Sequence, residues 1–328
     1  MRAVYIEEFG SVDGLEIREL PDPAPPSAGQ VLVRVHAAGL NRADLLQVRG
    51  AYPPPSGYSP NIPGLEFAGE IAAIGEGVNR WQIADRVFGI TAGEAQAEFL
   101  LSDERLIAKI PDQLSFVEAA AVPEAFITAH DAIFTLGSLK ENESLLIHAV
   151  GSGVGLAGLQ LAKARGAFAI GTSRTKDKLD RCLAFGLDKP ILTNKTINFA
   201  STVKNITHGE GVNVILELVG AAYFQQDLES LSQSGRLILV GLTSGSKAEF
   251  DLGLALRKRS RIIGTVLRPR SIEEKGEAVT KFASEVVPLL RSGNIRPNLD
   301  RVFPFTEAIA AYKFLGSNES FGKVVLEF

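Results

Sequence analysis

The 328-residue chain has one cysteine, four histidines and almost no excess charge. The lone Cys182 excludes an internal disulfide framework and any zinc site built from several cysteines, and is expected to be a buried or half-buried thiol rather than a reactive one. A formal net charge of −4 supplies no global field for nucleic acid. No apolar run reaches the roughly 18 to 20 residues of a membrane span. The richest stretch, EAAAVPEAFITA, is interrupted by Glu118, Pro123 and Glu124. The opening MRAVYIEEFG alternates like a strand and carries acids by position 7, unlike a secretory leader. A cytoplasmic protein without a membrane segment is the expectation. Repeats and low-complexity segments are absent.

What is present is the balance of a folded protein, 45% hydrophobic and 22% charged, long enough for two domains. Residues 1 to about 120 are strand-rich. MRAVYIEEF and LEIREL predict a hairpin around Gly10 and Gly14, and Val31, Val33 and Val35 alternate onto one face. Prolines 21, 23, 25 and 26 mark one loop, and YPPPSGYSPNIPG a second, whose three prolines read as a stiff loop. From Pro123 the pattern changes. A helix through PEAFITAHDAIFTLG is followed by short apolar strands: SLLIHA, FAIGTS, PILT, NVILELVG, GRLILVG and RIIGTVL. Between them lie helices predicted over 155–165, 176–185, 198–207 and 221–230. That order predicts an open parallel, doubly wound α/β sheet. One long amphipathic helix is expected over 272–291, then strands RVFPF and GKVVLEF around a short helix near 306–316. The expected organisation is a strand-rich domain, 1–122 with 270–328, interrupted by a doubly wound domain, 123–269.

SLLIHA opens the inserted domain, and Gly151, Gly153 and Gly155 are expected in the turn that follows. A strand, glycine turn and helix bring free backbone N–H groups and a positive helix end to one point, which suits a pyrophosphate. The spacing is GxGxG rather than GxGxxG, and glycines that merely let a helix pack on a strand would look the same. The second strand then bears on the nucleotide. An NAD site usually ends it with an acid on the ribose hydroxyls. Here the chain runs Ser173, Arg174, Thr175, Lys176, Asp177, Lys178, a hydroxyl and cations suited to a 2′-phosphate. NADPH is therefore expected over NADH, with a solvated first helical turn as the bland alternative.

Taken in order, GLNRADLLQVRGAYPPPSG, PGLEFAGEIAAIGEGV, AAAVPEAFITA, GSGVGLAGLQLAK, GVNVILELVG, GRLILVGL and FGKVVLEF resemble the medium-chain dehydrogenase/reductase superfamily, in its zeta-crystallin-like quinone oxidoreductase branch. The resemblance implies a Rossmann domain inserted into a GroES-like catalytic domain. It implies NADPH across the interdomain cleft and a homodimer formed through Rossmann edge strands near RIIGTVL. Zinc-dependent members carry Cys where this chain has Asn41 and His where it has Leu65, so no metal is expected.

For the acceptor side, the resemblance implies Asn41 as amide donor, Tyr52 as phenol donor and stacking surface, and Arg268 as cation. Asp44 stands beside them, or only pairs with a neighbouring arginine. Asn41 also suits the N-cap of the helix that RADLLQVRG starts. Proton delivery is expected from solvent. For the cofactor it implies Thr128, Gly151, Ser152, Gly153, Val154, Gly155, Ser173, Arg174, Lys178, Thr193, Gly220, Val240, Gly241, Leu242 and Asn318. Thr193 departs from the pattern, since such relatives usually carry tyrosine there. His36 and His148 are expected in the core, and His130 and His208 form no ligand spacing. RKRSR at 257–261 reads as a solvated loop rather than a nucleic-acid patch. The reaction expected is hydride transfer from NADPH to a quinone. An enone or 2-enoyl-thioester reductase is the second reading, and an NADPH-holding crystallin-like or RNA-associated protein the third.

Overall fold

Alternation of valines with polar residues makes Gln30–Leu40 (β3) a strand with one buried face: Val31 and Val33 are wholly buried while Arg34 is exposed. The computed structural model describes residues 1–193 and 198–328. The chain divides into two compact units, Met1–Ile127 with Leu267–Phe328, and Thr128–Val266. The boundaries differ from those read in the sequence by a few residues: 123–127 and 267–269 fall in the first unit.

In the first unit, Arg2–Ile6 (β1) and Leu15–Glu19 (β2) form an antiparallel hairpin, its turn passing through Gly10 at φ +123°. Glu66–Ile74 (β4), Arg86–Ile90 (β5), Phe99–Asp103 (β6), Ile107–Lys109 (β7), Leu299–Pro304 (β14) and Lys323–Glu327 (β15) build a seven-stranded sheet with β3. Along one edge of β3, β15 pairs with Ala37–Leu40 and β6 with Gln30–Arg34. Arg42–Val48 (α1) leaves the end of β3, and Phe116–Ala120 (α2) precedes Pro123–His130 (α3). The helix expected from Pro123 to Gly137 holds α geometry only to His130. Its last turn widens over Asp131–Leu136, where the Gly137 amide reaches Ala132 O.

The second unit carries Ser144–Ile147 (β8), Phe168–Ser173 (β9), Lys189–Leu192 (β10), Val212–Glu217 (β11), Leu231–Leu239 (β12) and Arg261–Gly264 (β13). All neighbours are parallel, in the order β10-β9-β8-β11-β12-β13. Taken in chain order within the unit this is 3-2-1-4-5-6, the doubly wound dinucleotide-binding order, with its reversal between β8 and β11. The helices are Gly153–Ala164 (α4), Lys176–Leu183 (α5), Ala200–Ile206 (α6), Phe224–Ser230 (α7) and Leu252–Lys258 (α8). Gly155 has a packing reason of its own: a Cβ there would lie 2.6 Å from Ala149 O. Cys182 is fully buried on α5, and burial pushes its thiol up to about 12.

Four expectations change. The helix over 272–291 is two helices, Ile272–Glu285 (α9) and Val287–Arg291 (α10), because Pro288 can neither donate to Ser284 nor fit beneath its carbonyl. RKRSR is not a loop. Arg257 and Lys258 end α8, Arg259 caps it in the left-handed region at φ 53°, and the Lys258 ammonium gathers the carbonyls of Leu228, Glu229 and Leu231. Gly153 and Gly155 lie in the first turn of α4, not before it, because Ser152 caps the helix. His36 is only partly covered, stacked on Phe116 with its rings 4.4 Å apart. The last helix, Ala308–Gly316 (α11), seats Tyr312 in the core. No helix among the described residues is long and apolar enough to cross a membrane.

Candidate active site

The acceptor-side candidates all belong to the first unit. Asn41 follows the last residue of β3 and caps α1: its N–H donates to Asp44 Oδ2 at 2.7 Å. Its side chain turns away from the helix. Nδ2 donates to Glu66 Oε1 at 2.8 Å, and Oδ1 accepts from the Lys323 ammonium at 2.7 Å. Lys323, 5% exposed, also donates to Leu40 O at 2.6 Å and to Glu66 Oε1 at 2.5 Å, which uses its three protons. Glu66 is wholly buried, and its other oxygen accepts the Glu124 N–H at 2.8 Å. Gly39 leaves room for this carboxylate: a Cβ there would stand 2.5 Å from Glu66 Oε1. One Nδ2 proton of Asn41 is left for a ligand.

Asp44 pairs with backbone amides rather than an arginine, accepting also from Gly64 N–H at 3.2 Å. Burial pushes its carboxyl up to about 6 against the Asn41 bond that lowers it. Arg268 is 4% exposed, and its guanidinium donates to Ala92 O at 2.7 Å, Tyr52 O at 2.7 Å and Gln47 Oε1. It also lies 5.0 Å from the centre of the Tyr52 ring. Arg268 thus fixes the loop that carries Tyr52, with little of its surface left to meet a substrate anion. The half-buried Tyr52 phenol is raised by burial and makes no hydrogen bond to a described residue.

In the second unit the cofactor candidates lie along the carboxyl ends of the strands. Ser152 accepts the Gly155 N–H at 3.1 Å, leaving the amides of Gly153 and Val154 without an acceptor among the described residues. Gly151 stands in the turn just before them. Ala149, at φ 46°, strains the backbone into this turn. At the end of β9, Ser173 Oγ accepts the Thr175 N–H at 3.2 Å. Arg174 is exposed, with no hydrogen bond or ion pair to a described residue, and Lys178 lies one helical turn on. Thr193 is occupied by the Tyr223 hydroxyl at 2.8 Å, so a tyrosine reaches this position from the N-cap of α7.

Gly220 is at φ +97°, and the turns after β11 and β12 interlock: Ser244 N–H donates to Val219 O at 2.7 Å, and Glu217 O accepts the amides of Val240 and Gly241. Leu242 is exposed beside them. Thr128 is half-buried on α3. Asn318 belongs to the first unit, where its side chain accepts from Arg42. The Gly153 and Val154 amides of α4 and the Arg174 guanidinium, none hydrogen-bonded to a described residue, form with the reversal of strand order a donor set that fits a dinucleotide.

Sequence reasoning missed Glu66, Lys323 and Glu124, although a charge opening a largely apolar strand is a visible signal for the first two. It also treated His148 as a plain core residue. His148 Nδ1 lies 2.8 Å from Thr172 Oγ1 and Nε2 2.6 Å from Asp227 Oδ1, with Glu217 Oε2 at 3.6 Å. All three groups are wholly buried, and burial pushes the imidazole pKa down and both carboxyls up. Two ligands of one zinc would stand about 3.4 Å apart on bonds of roughly 2.1 Å; the 2.6 Å contact is a hydrogen bond instead.

Two family models match the chain: the alcohol dehydrogenase GroES-like domain over 27–130, and the zinc-binding dehydrogenase domain over 153–284. Together they define a nicotinamide-dependent oxidoreductase. A rat quinone oxidoreductase is 31% identical over 99% of this chain and 97% of its own. A mycobacterial protein solved with NADPH superposes at a TM-score of 0.89, 29% identical, covering both chains fully. The CurK enoyl reductase superposes at 0.86, 27% identical, over 99% and 98% of the two chains. The chain belongs to the quinone oxidoreductase branch of the medium-chain dehydrogenase/reductase superfamily. Zinc does not fit the residues present. Leu65 is apolar and buried, and the one oxygen Asn41 could offer is held by the Lys323 ammonium, whose charge would repel a second cation.

Proposed function

We propose that this oxidoreductase reduces quinones with NADPH and without a metal. The observation that carries the reading is the Asn41 amide, held by Glu66 and Lys323 with one proton to spare, in the same unit as a half-buried Tyr52 phenol that makes no hydrogen bond to a described residue. Both are donors for an oxygen that gains negative charge. The amides of Gly153 and Val154 would hold the pyrophosphate, and Arg174 with Lys178 the 2′-phosphate. When bound, a reduced nicotinamide supplies a hydride to the acceptor. Arg268 keeps Tyr52 in place, and Lys323 keeps Asn41 turned toward its ligand.

A second copy of the chain is the proposed partner. The outer edge of β13 is unpaired among the described residues; Ile262 on the strand is 41% exposed and Val266 just past it 51%. Two such edges can pair antiparallel about a twofold axis.

Steady-state rates with a panel of quinones and enones, each with NADPH and with NADH, test the function. Turnover of 1,2-naphthoquinone with NADPH supports it. Turnover of crotonyl-CoA alone would replace it with the enoyl reductase reading that the likeness to CurK favours, and preference for NADH would remove the phosphate role of Arg174.

A further inference from the structure

We propose that Glu124 is the acid that delivers the proton to the acceptor oxygen. The inference rests on the reductase reading above and replaces solvent as the donor in that reaction. Glu124 is the second residue of α3, and its main chain is tied to the site through one carboxylate. Glu66 Oε2 accepts the Glu124 N–H at 2.8 Å, while Glu66 Oε1 accepts Asn41 Nδ2 at 2.8 Å. The side chain of Glu124 is half-buried and makes no hydrogen bond to any described residue, so its carboxyl can turn to a ligand.

The groups that face it are Glu66 from β4, Asp44 from α1, Tyr52 from the loop after α1, Arg268 ahead of α9, Lys275 on α9 and Lys323 on β15. Nearly all are committed elsewhere. Lys323 and Arg268 each satisfy three acceptors, Asp44 takes two amides, and Glu66 takes three donors. Two carboxyls in one small volume have thus been given opposite tasks: Glu66 accepts hydrogen bonds on both oxygens, while Glu124 keeps its own proton. Burial, then the Glu66 charge, pushes the Glu124 carboxyl up to about 8, so it enters the reaction protonated at neutral pH.

The step balances simply. The acceptor gains an electron pair and one hydrogen as hydride and becomes an oxyanion. The Glu124 O–H bond breaks, and its proton forms the new O–H bond of the product. The glutamate left behind recovers a proton from water through its exposed side. A phenolic oxygen has a pKa of about 10, so transfer from Glu124 runs downhill.

The test compares wild type with Glu124→Gln, which keeps the shape and removes the transferable proton. We expect kcat to fall about 100-fold while the dissociation constant for NADPH stays within about twofold. Wild-type kcat should decline above about pH 8, and that limb should vanish in the variant. Without cofactor, difference infrared spectroscopy should find a protonated carboxyl at neutral pH in wild type that the variant lacks. An unchanged kcat and limb in an active background, or no such carboxyl signal, overturns the inference. If wild type oxidises NADPH with no acceptor on the panel, the reductase reading falls first, and the acid loses its task with it. Should Glu124→Gln not fold, Glu124→Asp serves: it should keep the alkaline limb with a lower kcat, and loss of the limb there would count against the proposal.

Discussion

The ammonium of Lys323 lies 2.7 Å from the side-chain oxygen of Asn41, joining residues 282 positions apart in sequence. The bond fixes which end of the Asn41 amide faces outward, and it places a positive charge behind the donor. A polarised amide is a stronger donor to an oxyanion.

Replacing Lys323 with methionine should therefore lower kcat more than it changes KM for the acceptor. It should also destabilise the fold by about 3–5 kcal/mol, because Glu66 is left as an unpaired buried charge. Adding Glu66→Gln should restore most of the stability but not the rate. Thermal melts and steady-state kinetics on the single and double variants separate the two effects.

Arg174→Ala should raise the KM for NADPH by about 10- to 100-fold, the worth of one charge-assisted bond of about 1.5–3 kcal/mol. The KM for NADH should stay unchanged. The ratio of the two, measured at fixed ionic strength, checks the assignment, and an equal change for both cofactors would sink it.

Stability should also depend on the raised carboxyls of Glu217 and Asp227. Burial raises both carboxyls above their unfolded values, so the folded protein holds a proton that the unfolded chain has released. That contribution is complete below the ordinary carboxyl range and is lost as pH rises through the raised values. The Tm should fall from about pH 4 to about pH 8, and Glu217→Gln, which removes one of the two raised carboxyls, should flatten the slope. Melts of wild type and variant across that range measure it.

Ile262→Lys places a charge on the open edge of β13. It should convert a dimer to a monomer with little change in Tm, since the residue is 41% exposed. Sedimentation velocity decides it; an unchanged sedimentation coefficient at a dimer's value would move the interface elsewhere.

Much of the fold was legible because its signals are local. The strands of the second unit are short apolar runs closed by glycine or a polar turn, and SLLIHA followed by GSGVG marks the first of them. Helix α8 was not legible. Leu252 and Leu256 lie exposed, so DLGLALRKR carries no stripe that a core would demand. The break at Pro288 was written in the sequence, but the amphipathic pattern runs on across it.

The site divided in the same way. Asn41 as a helix cap and Arg174 as a strand-end cation follow from short spacings. The contacts of Lys323 with Glu66 and of Arg268 with Gln47 span more than two hundred residues and exist only once β15 and β3 pair and the segment ahead of α9 returns to the first unit. Leu65 told against a metal, yet nothing in the sequence named the ammonium beside Asn41.

The buried Cys182 gains meaning from the proposed acceptors. Quinones and enones are Michael acceptors, which alkylate thiolates. The only sulfhydryl of this chain is fully covered and remains a thiol at any physiological pH. A protein built this way can handle electrophiles turn after turn without offering a sulfur nucleophile for them to attack.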